Sequence, residues 1–237
     1  MNREGNLYTF IFAIVMVVIV AFSLAFAATS LKPKQSENVK KEKMQNILGT
    51  IGIEVEREAA EEKYKNYIKE ELSLVSDGSV DEQSVAFDVD LNKELKLPED
   101  KQHYPLYIAE VEGKKYYVVP LRGAGLWNAI WGYIALEDDL NTIKGVSFDH
   151  AGETPGLGAE ITQAWFQDSF KGKKIFDGQD ELVGITVSKG SGTKGDNEVD
   201  AISGATITGD GVTDMVKERL LHYLPYFKKE KTQLALN

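Results

Sequence analysis

The stretch LYIAEVEGKKYYVVPL, residues 106–121, decides the fold. Two runs of β-branched, aromatic and aliphatic residues, 106–111 and 115–121, flank Glu112-Gly113, so the segment reads as a β-hairpin with a tight turn. Residues 132–136 and 143–148 are again strand-like and flank the turn-forming Glu137-Asp138-Asp139-Leu140. Upstream, residues 84–91 alternate in part; downstream, 159–170 have the spacing of a short helix and 182–187 read as another strand. Val212, Met215, Val216, Leu220, Tyr223 and Leu224 then fall at i, i+3, i+4, i+8, i+11 and i+12, an apolar stripe that buries one helix face against the sheet. Thr208, Gly209 and Asp210 supply capping chemistry ahead of that stripe. Strands joined by hairpins, with the helices kept apart in the chain, predict an α+β domain with a mainly antiparallel sheet.

Composition narrows the chemistry. The 237 residues suffice for one good-sized domain with an anchor and a stalk. A net charge of −10 excludes a phosphate-seeking nucleic-acid surface, whose affinity would come from Lys and Arg. With no cysteine the chain holds no iron–sulfur cluster, thiolate zinc site or disulfide, so any redox chemistry uses a borrowed cofactor. The three histidines, His103, His150 and His222, lack metal-site spacing, and no metal site is expected.

In residues 10–28 only Ser23 is polar, and a helix of that length spans about 28 Å, close to a bilayer core. A cleaved signal peptide is the competing reading, with Arg3 as the charged start and Ala25-Phe26-Ala27 as the cleavage pattern. The apolar run exceeds the core of a signal peptide, which favours a retained anchor. Lys32, Lys34, Lys40, Lys41 and Lys43 follow the span, so positive-inside counting alone places the large domain in the cytoplasm. Beyond the anchor, 1–30, residues 31–76 read as a helical stalk and linking helices. The stalk breaks near residues 49–52, and a second helical stretch carries Val55, Ala59, Tyr64, Tyr67 and Ile68. The globular domain occupies 77–230.

Just before the closing helix stands Asp200-Ala201-Ile202-Ser203-Gly204-Ala205-Thr206-Ile207-Thr208. It is a small-residue turn exposing hydroxyls beside a helix N-terminus, whose free amides and dipole stabilise a phosphate without Lys or Arg. Asp-x-x-Ser/Thr-Gly-Ala-Thr resembles the acceptor motif of flavin transferases, and residues 200–206 match it at every fixed position. By that resemblance Thr206 takes the FMN phosphate from FAD, with AMP as leaving group. Thr208 is the rival acceptor, disfavoured by the motif's spacing.

Gly125-Leu126-Trp127, Gly132-Tyr133 and Gly152-Glu153-Thr154-Pro155-Gly156-Leu157-Gly158 complete a likeness that covers nearly the whole chain. The chain resembles the flavin-binding family shared by the NqrC component of the sodium-translocating NADH:quinone oxidoreductase and the RnfG component of the related Rnf complex. The resemblance implies covalently bound FMN, a pocket lined by Leu126, Trp127, Glu153, Thr154, Gly156 and Leu157, and Lys189 nearby. Taken by themselves, Trp127 offers a flat apolar face for an isoalloxazine ring, and Pro155-Gly156 makes a rigid turn that can present amides. A Lys at the ring's carbonyl edge would favour its anionic radical form.

The family implies a single-pass inner-membrane protein with its flavin domain periplasmic, against the lysine count. It also implies a flavin transferase for maturation and, as partners, the five other components of the NADH:quinone oxidoreductase (A, B, D, E and F), in a relay from NADH toward quinone coupled to sodium export. No G-x-G-x-x-G follows a strand, so no nicotinamide site is expected in this chain. The stalk favours the NADH:quinone oxidoreductase component over its Rnf counterpart. A non-redox anchored binding module and a secreted flavoenzyme are the readings from other classes.

Overall fold

A computed structural model describes residues 5–190 and 194–234. The chain divides into two compact units, residues 1–43 and 44–237. The first consists, where described, of helix α1 (Asn6–Thr50), which continues into the second unit for its last two turns. Its apolar N-terminal part is long and apolar enough to cross a membrane, and none of that window is buried. The helix ends at Thr50, whose hydroxyl donates to the carbonyl of Ile47 at 2.6 Å, within the stretch where the glycines predict a break.

After the end of α1 the second unit continues with α2 (Ala60–Tyr67), runs directly into β1 (Ile68–Leu74), and reaches the short helix α3 (Leu91–Glu94) through irregular chain. Strands β2 (Tyr104–Val111), β3 (Lys114–Ala124), β4 (Ala129–Leu136) and β5 (Ile143–His150) follow. All five form one antiparallel sheet in chain order, an uninterrupted meander. The short helix α4 (Ala164–Asp168) leads on to a parallel pair, β6 (Thr186–Ser188) and β7 (Glu198–Asp200). Helices α5 (Thr206–Leu221) and α6 (Leu224–Leu234) close the chain.

The hairpin forms as its sequence dictates. Val111 pairs with Lys114 across Glu112 and Gly113, both at positive φ (51° and 78°), as a tight primed turn requires. The strands lack clean alternation because both faces of the sheet are covered. Leu106, Ile108, Tyr117, Val119 and Leu121 face a core completed by Val212, Met215, Val216 and Leu220 of α5. Tyr107, Ala109, Tyr116 and Val118 face the opposite way, onto Ile47, Leu48, Ile51, Tyr64 and Ile68. Each fully buried aliphatic of α5 contributes about 1.5–3 kcal/mol, so the stripe holds the helix on the sheet despite its glycines.

Five expectations change, the first being that the single closing helix is two, α5 ending at Leu221 and α6 starting at Leu224, so Tyr223 and Leu224 lie outside α5. Helix α2 stops at Tyr67, and Ile68 begins a strand paired to β2, so the sheet starts upstream of residue 77. Residues 84–91 form no strand; a 3₁₀ turn, Ala86–Asp88, stands there, its register interrupted by aspartate-capped turns. Within 159–170 the single expected helix is a 3₁₀ turn, Gly158–Thr162, followed by α4, because each makes its own short bonds around Gln163. Of 182–187 only Thr186 and Val187 lie in β6, while Leu182 makes an isolated bridge to Phe176.

Candidate functional site

Helix α5 begins at Thr206, three residues earlier than a cap at Thr208 predicts. Ala205 stands at the N-cap, no side chain among the described residues caps the first turn, and no acidic residue lies in it. The free amides of a 16-residue helix therefore face the loop with the positive end of the helix dipole. The loop reaches this helix through Gly204, whose φ of +77° favours glycine and where a Cβ would run into the Leu157 side chain.

Thr206 and Thr208 differ sharply. Thr208 is 1% exposed and its hydroxyl donates to Glu153 Oε2 at 2.6 Å, whereas Thr206 is half-buried. The buried stripe explains the difference, since Thr208, Val212, Met215 and Val216 follow helical spacing on one face.

Glu153 is the centre of the arrangement. It is 4% exposed, and its Oε1 accepts from the backbone amides of Trp127 at 2.9 Å and Asn128 at 3.5 Å. Burial pushes its carboxyl up, but the Thr208 hydroxyl and the amides of Trp127, Asn128 and Leu126 outweigh burial, leaving it below the ordinary glutamate value. Gly125 and Gly158 flank the carboxylate so closely that a Cβ at either would collide with its oxygens. The amide of Glu153 in turn donates to His150 Nδ1 at 3.1 Å, which places the proton of a neutral His150 on Nε2. Glu153 thus ties together the β3–β4 loop, the 153–158 loop and α5 rather than presenting a free carboxylate.

Around this clamp the side chains are apolar and open. Trp127 is 69% exposed, Ile207 58%, and Leu126 and Leu157 are also exposed. The Trp127 indole N–H donates to the Thr154 hydroxyl oxygen at 3.2 Å, which orients the ring. The amides of the Pro155-Gly156 turn are engaged locally: Gly156 donates to Glu160 Oε1 at 3.1 Å and Leu157 to the Thr154 carbonyl at 3.1 Å. An uncapped helix terminus for a phosphate beside an exposed aromatic and aliphatic face for a planar ring fits FMN.

Of the remaining expected residues, Ser203 is exposed and Ala205 is buried beneath the turn. Asp200 ends β7, and its carboxylate lies 3.4 Å from Lys194 Nζ. Lys189 is exposed just beyond β6, where Ser188 pairs with Asp200 and accepts from the Ala201 amide at 3.0 Å. It therefore stands beside the start of the 201–205 loop. The rest of the loop expected around it, residues 191–193, lies outside the described residues.

Sequence reasoning missed three participants. Ile207 adds to the apolar face, and its place between two threonines hid it. Gly158 leaves space for Glu153, which the glycine-rich run 152–158 signalled. Lys194 donates to the Ser188 carbonyl and hydroxyl at 3.0 and 2.9 Å and reaches Asp200; only a lysine six residues before the motif announced it.

Comparison with known proteins gives the same picture. The family model described as the FMN-binding domain matches residues 125–220. NqrC of the Na(+)-translocating NADH-quinone reductase from Haemophilus ducreyi is 31% identical over 232 residues, covering 91% of this chain and 90% of its own. NqrC from Pseudomonas aeruginosa is 31% identical over 246 residues, covering 94% and 92%. The crystal structure of Parabacteroides distasonis NqrC superposes with a TM-score of 0.76 at 40% identity, covering 83% of this chain and 96% of that one. Shewanella oneidensis NqrC gives a TM-score of 0.71 at 29% identity, covering 81% and 98%. With relatives above 30% identity aligned over nine-tenths of both chains, the protein belongs to the NqrC family, a component of the Na(+)-translocating NADH-quinone reductases.

Proposed function

We propose that the chain carries one FMN esterified through its phosphate to Thr206 and serves as an electron relay in a sodium-translocating NADH:quinone oxidoreductase. The observation that carries this reading is the contrast at the head of α5. The Thr206 side chain is partly open at an uncapped helix N-terminus, while the Thr208 hydroxyl is buried on Glu153. Attachment would form a bond from Thr206 Oγ1 to the flavin-side phosphorus of FAD and break the pyrophosphate, releasing AMP and the hydroxyl proton. A flavin transferase supplies that step, and Thr206 is its substrate rather than a catalyst. FMN supplies one-electron chemistry; the chain's own residues position it, with Leu126, Trp127, Leu157 and Ile207 excluding water from the ring and the α5 amides holding the phosphate. Ser203, Gly204, Ala205, Thr154 and Gly156 shape the surrounding loops, and Lys189 supplies positive charge near the ring.

The apolar N-terminal helix supports anchoring at the inner membrane, and the periplasmic side is the reading that gives covalent attachment a purpose. No flavin pool exists there to replace lost cofactor. The five other components of the complex (A, B, D, E and F) are its partners, with NADH oxidised and quinone reduced elsewhere in the assembly. The test is intact-mass analysis after coexpression with a flavin transferase. Wild type and Thr208→Ala should gain the mass of FMN less water, and Thr206→Ala should not. An unmodified wild-type chain from a competent host overturns the reading.

A further inference from the structure

We infer that Glu153 is a positioning residue that locks the flavin's ring platform to the helix carrying its attachment point. One buried carboxylate holds both: Oε1 accepts from the Trp127 amide at 2.9 Å, and Oε2 accepts from the Thr208 hydroxyl at 2.6 Å. Trp127 is the most exposed of the large apolar residues at the site, and Thr208 stands two residues from Thr206 on the first turn of α5. The two walls are far apart in the chain, and loop 125–128 leans on Glu153 at two amides. Gly125 and Gly158 close in on the carboxylate, since a Cβ at either would collide with its oxygens. Without the clamp, a flavin tethered at Thr206 would keep its ester and lose the fixed distance between phosphate and Trp127. Glu153 in this account acts through Trp127 and Thr208 and does not touch the reacting atoms.

This inference rests on Thr206 as the acceptor, so the experiment separates the two. Wild type, Glu153→Ala, Glu153→Gln, Thr208→Val and Trp127→Ala are coexpressed with a flavin transferase. Each is assayed for attached mass, flavin emission quenched by the stacked indole, flavin anisotropy and midpoint potential. Thermal melting identifies any variant that fails to fold. Glu153→Ala and Thr208→Val are expected to carry flavin at Thr206 with emission raised severalfold, anisotropy lowered, and a potential moved toward that of free FMN. Glu153→Gln, whose amide can still accept from Trp127 and donate to Thr208, should stay close to wild type. The Glu153→Ala/Trp127→Ala double variant should show no more dequenching than Trp127→Ala alone, since both act on one platform. Wild-type emission and potential in flavin-loaded Glu153→Ala and Thr208→Val overturn the positioning role and leave the attachment intact. A wild-type chain without flavin overturns the attachment itself.

Discussion

The hydroxyl of Tyr223 donates to the carbonyl oxygen of Pro105 at 2.9 Å, fastening the chain just beyond α5 to strand β2. The ring is 2% exposed, and burial pushes its phenol well above the ordinary tyrosine range, so it remains a donor at any working pH. The Thr206 end of α5 lies about 24 Å away along a helix of 16 residues. Stability and site geometry are therefore separable at this helix.

Tyr223→Phe should remove that bond and leave a buried carbonyl short of a partner, costing about 1–3 kcal/mol. Urea unfolding should show the loss, while mass analysis shows unchanged flavin occupancy. A fall in occupancy at temperatures where the variant is fully folded would mean that strain at one end of α5 reaches the other.

The Glu153 carboxylate gives the fold an acid-sensitive element. Its folded value lies below the ordinary 4.5, because a hydroxyl and backbone amides favour the anion over the opposing effect of burial. As the pH falls below that ordinary value, the unfolded chain takes up the proton first. The stabilisation is thus complete above the unfolded value and is lost as pH falls through the lower folded value. Glu153→Gln should accordingly show a shallower decline in unfolding free energy than wild type as the pH falls below the ordinary glutamate value. Parallel declines in the two proteins would assign the acid sensitivity to other carboxylates.

Much of this architecture is legible in the sequence, and the exceptions have physical causes. The hairpin at 106–121 announces itself through its turn residues. Strand β1 does not, because Ile68–Leu74 is an edge strand with exposed Lys69, Glu70 and Glu71, and such charges resemble the face of a helix. The loop proposed to accept flavin is legible as a contiguous motif. The clamp is not, since Glu153 meets Trp127 across 26 residues and Thr208 across 55, and its bonds to the loop go to backbone amides that carry no sequence signature. Thr208 could have been placed correctly by extending the stripe of Val212, Met215 and Val216 back by four residues.

Ile207 allows stability and modification to be driven in opposite directions. It is 58% exposed in the first turn of α5, where no acidic residue stands. Ile207→Asp should stabilise the fold by about 0.3–1 kcal/mol through the helix dipole. The same charge repels a phosphate at that terminus, so flavin loading by transferase and FAD should slow. Ile207→Asn, matching the aspartate in size without its charge, should load faster than the aspartate variant. Equal loading of the two would mean that the terminus contributes no electrostatic stabilisation to the phosphate.

The domain boundary can be located by truncation, because α1 has buried residues only near its end. Ile47, Leu48 and Ile51 are at most 2% exposed and pack with Tyr64, Ile68 and Tyr107 on the sheet, and Gln45 donates to the Val55 carbonyl at 2.8 Å. Removing residues 1–43 takes away the apolar span and none of these contacts. That variant should be soluble without detergent, unfold cooperatively, and still accept flavin at Thr206. Removing residues 1–52 deletes the three aliphatics as well, each contributing about 1.5–3 kcal/mol, which together rival the whole stability of a typical domain. It should be poorly soluble or melt far lower. Equal melting temperatures for the two truncations would show that the sheet face under α1 needs no cover from this chain, and would move the start of the folding unit beyond Gly52.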